Sequence, residues 1–165
     1  TLRLTLFPYT TLFRSTALLI ETSCAAGAIV SGASPEVVKQ LRLFGYDIGM
    51  AFQMTDDLLD FTAKSLQLGK PVGEDLKHGH KTLPLFYSAE DGRFYERLSR
   101  VDSTSTPDLT AALVREVQQN GTLERSQQTI DRYVRRAIKR LEPLPDVSDK
   151  RSLIEIAEYI GKRKW

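Results

Sequence analysis

"FQMTDDLLDF", residues 52–61, sets three carboxylates, Asp56, Asp57 and Asp60, within five positions of an otherwise apolar stretch. Burying unpaired charge is expensive, so the placement requires a reason. Working outward, Gly45 to Phe61 is rich in apolar residues: Ile48, Met50, Ala51, Phe52, Met54, Leu58, Leu59 and Phe61. Gln53, Asp56, Asp57 and Asp60 recur at i, i+3, i+4 and i+7. At helical pitch these four fall on one stripe, so the segment reads as an amphipathic helix. Asp56 and Asp60 then sit one turn apart, with Asp57 beside them. Like charges at that spacing repel by roughly 0.2–0.5 kcal/mol, and a solvated face normally dilutes them with lysine. Two readings follow: a solvent-facing acidic stripe, or a site for a hard cation. Carboxylates one turn apart can share Mg²⁺, an ion that keeps several waters and takes one or two carboxylates plus substrate phosphates. An EF-hand is excluded, because "DDLLD" lacks the alternating ligands and central glycine of that loop.

The next segment, "AKSLQLGKPVGEDLKHGHK" at 63–81, favours the cation site. It reads as a long polar loop, a kind of element that is disproportionately functional. Lys70, Lys77 and Lys81 supply positive charge, and Gly69, Gly73 and Gly79 let backbone approach a ligand closely. Carboxylates, metal and lysines together make a diphosphate clamp. His78 and His80 lack a third ligand at recognisable spacing and read as loop residues.

From Thr16 onward the chain reads as helix, with segments expected at 16–31, 35–63, 82–100, 107–120, 122–141 and 148–162. Gly32 ends the first; Ser34 caps the second, with Pro35 in its first turn. Thr106 and Pro107 open another, and Asn120-Gly121 stops it. "TALLIETSCAAGAIVSGA" carries Glu21 and many small residues, the composition of a helix in tight contact with another. "LEPLPDVSDK" is a Pro-rich connector before a last helix whose apolar face is Leu153, Ile156, Ala157 and Ile160. No strand alternation or internal repeat is present, so the fold class is all-α. Phe94, Tyr95 and Tyr133 read as core and helix surface.

Composition narrows the function. With 165 residues the chain has room for one domain. Its formal net charge of +2 does not point to nucleic acid. The lone Cys24 allows no internal disulfide, fits a reducing cytoplasm, and reads as a packed thiol. No apolar run reaches the roughly 20 residues of a membrane span.

Residues 1–15, "TLRLTLFPYTTLFRS", show no helical period and no acidic residue. Pro8 and Arg14 interrupt any signal-peptide pattern. Residues 5–15, "TLFPYTTLFRS", look like the in-frame translation of a common sequencing adapter, matching at all eleven positions. The expectation is that 1–15 is a non-native segment and that 16–165 is the C-terminal portion of a longer single domain.

"GMAFQMTDDLLDF" followed by "GKPVGEDLKHGHKTLPL" resembles the second aspartate-rich motif and following loop of the trans-prenyl diphosphate synthases, the polyprenyl synthetase family. The likeness runs from Thr16 to Trp165, and the paired motifs are highly specific. "YVRRAIKRLEPLPDVSDKRSLIEIAEYIGKRKW" resembles the family's C-terminal end. Its last residues are similar in particular to the catalytic component of the two-component heptaprenyl diphosphate synthases of Gram-positive bacilli. The resemblance implies the C-terminal part of an isoprenoid-synthase helical bundle, and menaquinone biosynthesis as the setting. It implies Mg²⁺-dependent condensation of isopentenyl diphosphate with an allylic diphosphate, giving a long linear product. By motif match, Asp56 and Asp60 would be the metal-side carboxylates, with Asp57 in or just behind them. Gln53 would face the reacting carbons, and Lys70 and Lys81 would close on the allylic diphosphate. Asp75 would orient metal-bound water, and Thr16 matches the threonine of a Lys-Thr pair. Implied partners are a second copy or a second synthase component, with peripheral membrane contact for product release. The implied location is the cytoplasm.

Two departures stand out. Ser15 replaces the lysine before Thr16, and the first aspartate-rich motif is absent together with the arginines that bind isopentenyl diphosphate. Truncation is the expected cause. The chain alone is therefore expected to be inactive and loosely packed, with Leu18, Leu19, Ile48 and Phe52 lacking partners. Two other classes compete. A non-catalytic partner subunit has no need of a complete "DDLLD" with Lys70 and Lys81. A terpene cyclase on the same scaffold usually carries an Asn, Ser or Thr and Glu motif, and 52–61 holds none.

Overall fold

The computed structural model describes residues 7–62, 76, 82–101 and 105–163. Seven helices occur among them: α1 (Phe7–Val30), α2 (Pro35–Leu59), α3 (Leu83–Ser88), α4 (Gly92–Leu98), α5 (Pro107–Gln119), α6 (Thr122–Leu141) and α7 (Ser148–Lys162). No strand occurs among the described residues, so the all-α expectation is met.

The punctuation residues act as their chemistry dictates. Gly32 ends α1 at φ 71°, and Gly121 follows α5 at φ 81°, both in the left-handed region that glycine enters without strain. The Ala33 N–H reaches back to the Ala28 carbonyl at 3.1 Å, closing the end of α1. The Ser34 hydroxyl accepts from the Val37 N–H at 3.4 Å. Three boundaries differ from expectation by more than one residue, the first being the end of α2, at Leu59 and not 63. Helix α1 begins at Phe7, not Thr16, so residues 7–15 have helical backbone. Pro8 falls in its first turn, where a missing N–H breaks no helical bond. The expected helix at 82–100 is two short helices, because Asp91 caps a new start by accepting from the Arg93 N–H at 2.8 Å.

The chain forms two compact units, whose boundary passes within α2 between Thr55 and Asp56. The unit of 10–55 and 129–163 is built on close helix contact. A Cβ placed on Gly49 would lie 2.6 Å from the Ala17 Cα, and one on Gly45 would lie 2.7 Å from the Ile20 carbonyl oxygen. The small residues thus let α1 and α2 touch through backbone, as the composition of α1 predicts. Cys24 lies in this contact, and burial pushes its thiol pKa up, which keeps it protonated and unreactive. Phe44, Ile48 and Ala51 form the buried side of α2 together with Asp47, a carboxylate only 2% exposed. The Arg136 Nε donates to both Asp47 oxygens at 3.0 Å, and Arg140 lies 3.8 Å away. Helix α7 seats against α6 where Gly161 faces Val134, and the Thr55 hydroxyl donates to the Ile160 carbonyl at 3.3 Å. Ile156, expected on the buried face, is half exposed; Ala157 and Gly161 are the buried positions. The expectation for Ile48 and Phe52 is likewise corrected. Ile48 is buried, and the Phe52 ring is half-buried, with the Arg163 guanidinium 4.8 Å from its centroid. Leu18 and Leu19 are exposed, as expected.

The other unit, centred on 56–128, has its own core of Phe61, Leu76, Leu85, Phe94, Leu113 and Val117. Phe94 is thus a core residue and Tyr95 packs at the margin. A satisfied polar knot ties its helices. The Asn120 amide donates to the Ser88 hydroxyl at 3.0 Å, and Ser88 pairs with Thr122 at 3.2 Å. The Gln118 amide donates to the Phe61 carbonyl at 2.9 Å, holding the chain just past the aspartates.

Candidate functional site

Each unit presents part of the predicted site. In the unit of 10–55 and 129–163, the Thr16 hydroxyl donates to the Gln53 Oε1 at 3.4 Å. Both residues are half-buried. Two residues 37 positions apart, each singled out from sequence as substrate-binding, are therefore neighbours. Phe52 adjoins Gln53 in sequence, and its stacked Arg163 is a cation that the sequence reading did not assign.

In the other unit, α2 delivers the aspartates. The Asp60 N–H donates to the Asp56 carbonyl at 3.3 Å, so these residues stand one helical turn apart. Both side chains are half-buried. Asp57 is buried and turned inward, where its Oδ2 accepts from the Leu83 N–H at 3.2 Å. That N–H belongs to the first turn of α3, which starts after Thr82 with Pro84 in its first turn. A carboxylate at a helix N-terminus satisfies an orphan donor and complements the helix dipole. Asp57 thereby fixes the end of α2 to the start of α3. Sequence spacing places Asp57 beside Asp56 but carries no signal for this bond, which spans 26 positions.

Lys70, Asp75, Lys77, His78, His80 and Lys81 lie outside the described residues. Among the described residues, no three acidic, histidine or cysteine side chains are grouped to close around a metal ion. The donors that are described, Asp56 and Asp60, offer hard oxygens one turn apart. That fits an ion held by one or two carboxylates and completed by water and phosphate oxygens, not an all-protein cage. Among the described residues no helix is long and apolar enough to cross a membrane.

Comparison with known proteins agrees with the helical fold. The Polyprenyl synthetase family model matches residues 8–117. Heptaprenyl diphosphate synthase component 2 of Bacillus subtilis is 41% identical over 152 residues, which cover 92% of this chain and 44% of that protein. A crystal structure of heptaprenyl diphosphate synthase from Staphylococcus aureus superposes with a TM-score of 0.91 at 31% identity, over 99% of this chain and 52% of that one. A polyprenyl synthase from Caulobacter crescentus, solved with calcium and isoprenyl diphosphate, gives a TM-score of 0.80 at 28% identity, over 93% and 48%. The chain spans about half the length of these relatives. Matched by the family model over most of its length, the chain belongs to the polyprenyl synthetase family, whose members are prenyltransferases.

Proposed function

We propose that this chain carries the second aspartate-rich part of a polyprenyl diphosphate synthase, an enzyme that joins isopentenyl diphosphate head to tail to an allylic diphosphate. In that reaction the allylic C–O bond breaks and diphosphate leaves. The isopentenyl double bond attacks the allylic carbon, and one proton is lost. The observation that carries this reading is the split among the three aspartates: Asp57 is turned inward onto the Leu83 N–H, while Asp56 and Asp60 stand a turn apart. Such a pair fits a cation shared with a diphosphate. Mg²⁺ bound there would stabilise charge building on the departing group. Asp56 and Asp60 hold the ion's protein side, Asp57 positions them, and Asp75 orients bound water. Lys70 and Lys81 grip the diphosphate. Gln53, its amide oxygen held by Thr16, faces the reacting carbons.

The product is a long-chain polyprenyl diphosphate, and the relative named as a component 2 supports assembly with a second component or a second copy. The enzyme works in the cytoplasm, touches the membrane periphery to release product, and binds no nucleic acid. The test uses an intact synthase containing this segment, supplied with farnesyl diphosphate, isopentenyl diphosphate and Mg²⁺. A linear elongated product is expected. Asp56→Ala lowers turnover about 10²–10³-fold, the loss typical of removing one group that stabilises transition-state charge, while the thermal midpoint hardly moves. Full turnover in Asp56→Ala at saturating Mg²⁺ refutes the metal role. A hydrocarbon product points to a cyclase, and full activity of a two-component assembly whose copy of this segment carries Asp56→Ala points to a non-catalytic partner subunit.

A further inference from the structure

On the metal reading above, we propose that Gln118 is a positioning residue for the Asp56–Asp60 pair: its amide holds the turn that carries Asp60 at the spacing a shared cation needs. The two carboxylates are not held alike. Asp56 lies inside α2, which ends at Leu59, whereas Asp60 follows that end by one residue. The last carbonyls of a helix have no partner within it, and the final turn frays. Here the chain tightens as it leaves. The Phe61 N–H donates to the Leu58 carbonyl at 3.2 Å and the Thr62 N–H to the Leu59 carbonyl at 3.1 Å, each three residues back. The Thr62 hydroxyl adds a bond to the Leu59 carbonyl at 3.0 Å. All of these are local, so none of them sets where the turn stands against the rest of its unit.

Two longer-range anchors set it. The Phe61 ring shares a buried core with Leu113 and Val117 of α5. The Phe61 carbonyl accepts from the Gln118 amide at 2.9 Å, across 57 positions of sequence. Burial of a ring is non-directional, whereas a hydrogen bond is directional, so the amide is what aims the backbone next to Asp60. The same turn of α5 grips the other side of the aspartate segment. Asn120 donates to Ser88, the last residue of α3, at 3.0 Å, and the first N–H of α3, that of Leu83, holds Asp57 at 3.2 Å. Residues 118 and 120 thus bracket the chain that presents the carboxylates. Gln118 is only half-buried, while Leu113 and Val117 are fully buried and already supply the packing of α5. An amide also suits the task because it donates without carrying charge, and so does not oppose a cation held by neighbouring carboxylates. Groups that orient metal-binding side chains typically change metal affinity 10–100-fold when removed.

The test separates positioning from plain stability. Gln118→Met keeps the side-chain length and removes the donor. Gln118→Asn keeps the amide but draws it back by one methylene, so the outcome does not hang on a single variant folding. Val114→Ala, one turn earlier on α5, removes apolar contact from the same core but no hydrogen-bonding group. Mg²⁺ is titrated calorimetrically into this chain and each variant, well below their melting temperatures, with inorganic pyrophosphate present. Val114→Ala should lower the thermal midpoint and keep the Mg²⁺ affinity of the unaltered chain. Both Gln118 variants should weaken Mg²⁺ affinity about tenfold or more, with a smaller loss of thermal midpoint than Val114→Ala. Their binding of pyrophosphate without metal should be unchanged. Unaltered Mg²⁺ affinity in the Gln118 variants overturns the proposal. So does an affinity that simply follows the thermal midpoint through all three variants, which would leave Gln118 a support of the fold alone. Absence of pyrophosphate-dependent Mg²⁺ binding by the unaltered chain overturns the metal reading and the role of Gln118 with it, so the two failures are told apart by that first titration.

Discussion

Asp47 and Asp57 are both buried carboxylates on α2, yet they answer to different partners. Asp57 satisfies one backbone N–H, whereas Asp47 holds the Arg136 guanidinium and has Arg140 within 3.8 Å. The Arg136 side chain is 47% exposed while the Asp47 side chain is 3% exposed, so the two ends of this pair are unequal. Removing Arg136 strands a buried anion. Removing the carboxylate charge leaves an arginine that water can solvate. Arg136→Met is therefore expected to destabilise the chain by about 3 kcal/mol, the lower end for breaking a buried pair because Arg140 remains nearby. Asp47→Asn should cost roughly 1–2 kcal/mol, nearer the loss of a charge-assisted hydrogen bond. Urea denaturation of the two variants checks the order, and a larger loss for Asp47→Asn would mean that Arg136 is less solvated than its exposure indicates. The hydrogen bond to Asp47 raises the Arg136 pKa above its ordinary value. A raised cation contributes fully below its unfolded pKa and loses that contribution only as pH rises through the folded value, so the arginine side of the pair is constant through neutral pH.

At the scale of elements, the α1–α2 contact turns on where glycine is needed. Gly49 has Ala17 backbone against it, and backbone cannot move aside cheaply. Gly49→Ala should therefore destabilise by about 1–3 kcal/mol, the usual cost of overpacking, despite the better helix propensity of alanine. Gly27 lies in the same helix system with open space around it. Gly27→Ala should stabilise by up to about 1 kcal/mol, since only propensity changes. Thermal melts of the two variants moving the same way would show that this contact does not govern α1. These contacts also explain what the sequence makes legible. Gly32, Ser34, Pro35 and Gly121 act through their own neighbours, so helix ends at 30–35 and 120–121 can be read directly. The small-residue run 22–28 announces a close helix contact but not its partner. Asp47 gives no local signal, because its guanidinium comes from 89 positions further along. The break between α3 and α4 is written in Asp91-Gly92, a cap-and-start pair that a continuous apolar pattern across 82–100 conceals.

At the scale of the whole molecule, the aspartate spacing reveals the helix and the stripe but not the division of labour within it. That division depends on the Leu83 N–H, which lies 26 positions further along the chain. On the proposed reading Asp56 and Asp60 are the protein donors for Mg²⁺ in the described part of the chain, and two carboxylates do not make a complete coordination shell. On the same reading diphosphate oxygens supply further ligands, and Lys70 and Lys81 are proposed to offset their charge. Metal and diphosphate should consequently bind as a coupled pair, each raising the affinity of the other by the same factor. Titration calorimetry of this 165-residue chain should show weak heat with Mg²⁺ alone and a marked increase when inorganic pyrophosphate is present. Asp56→Asn and Asp60→Asn should each remove the coupling. Lys70→Ala should weaken pyrophosphate binding in the absence of metal, which neither aspartate variant should do. Tight Mg²⁺ binding without pyrophosphate would show that the chain closes the shell by itself, and would move Asp57 from positioning its neighbours to holding the ion.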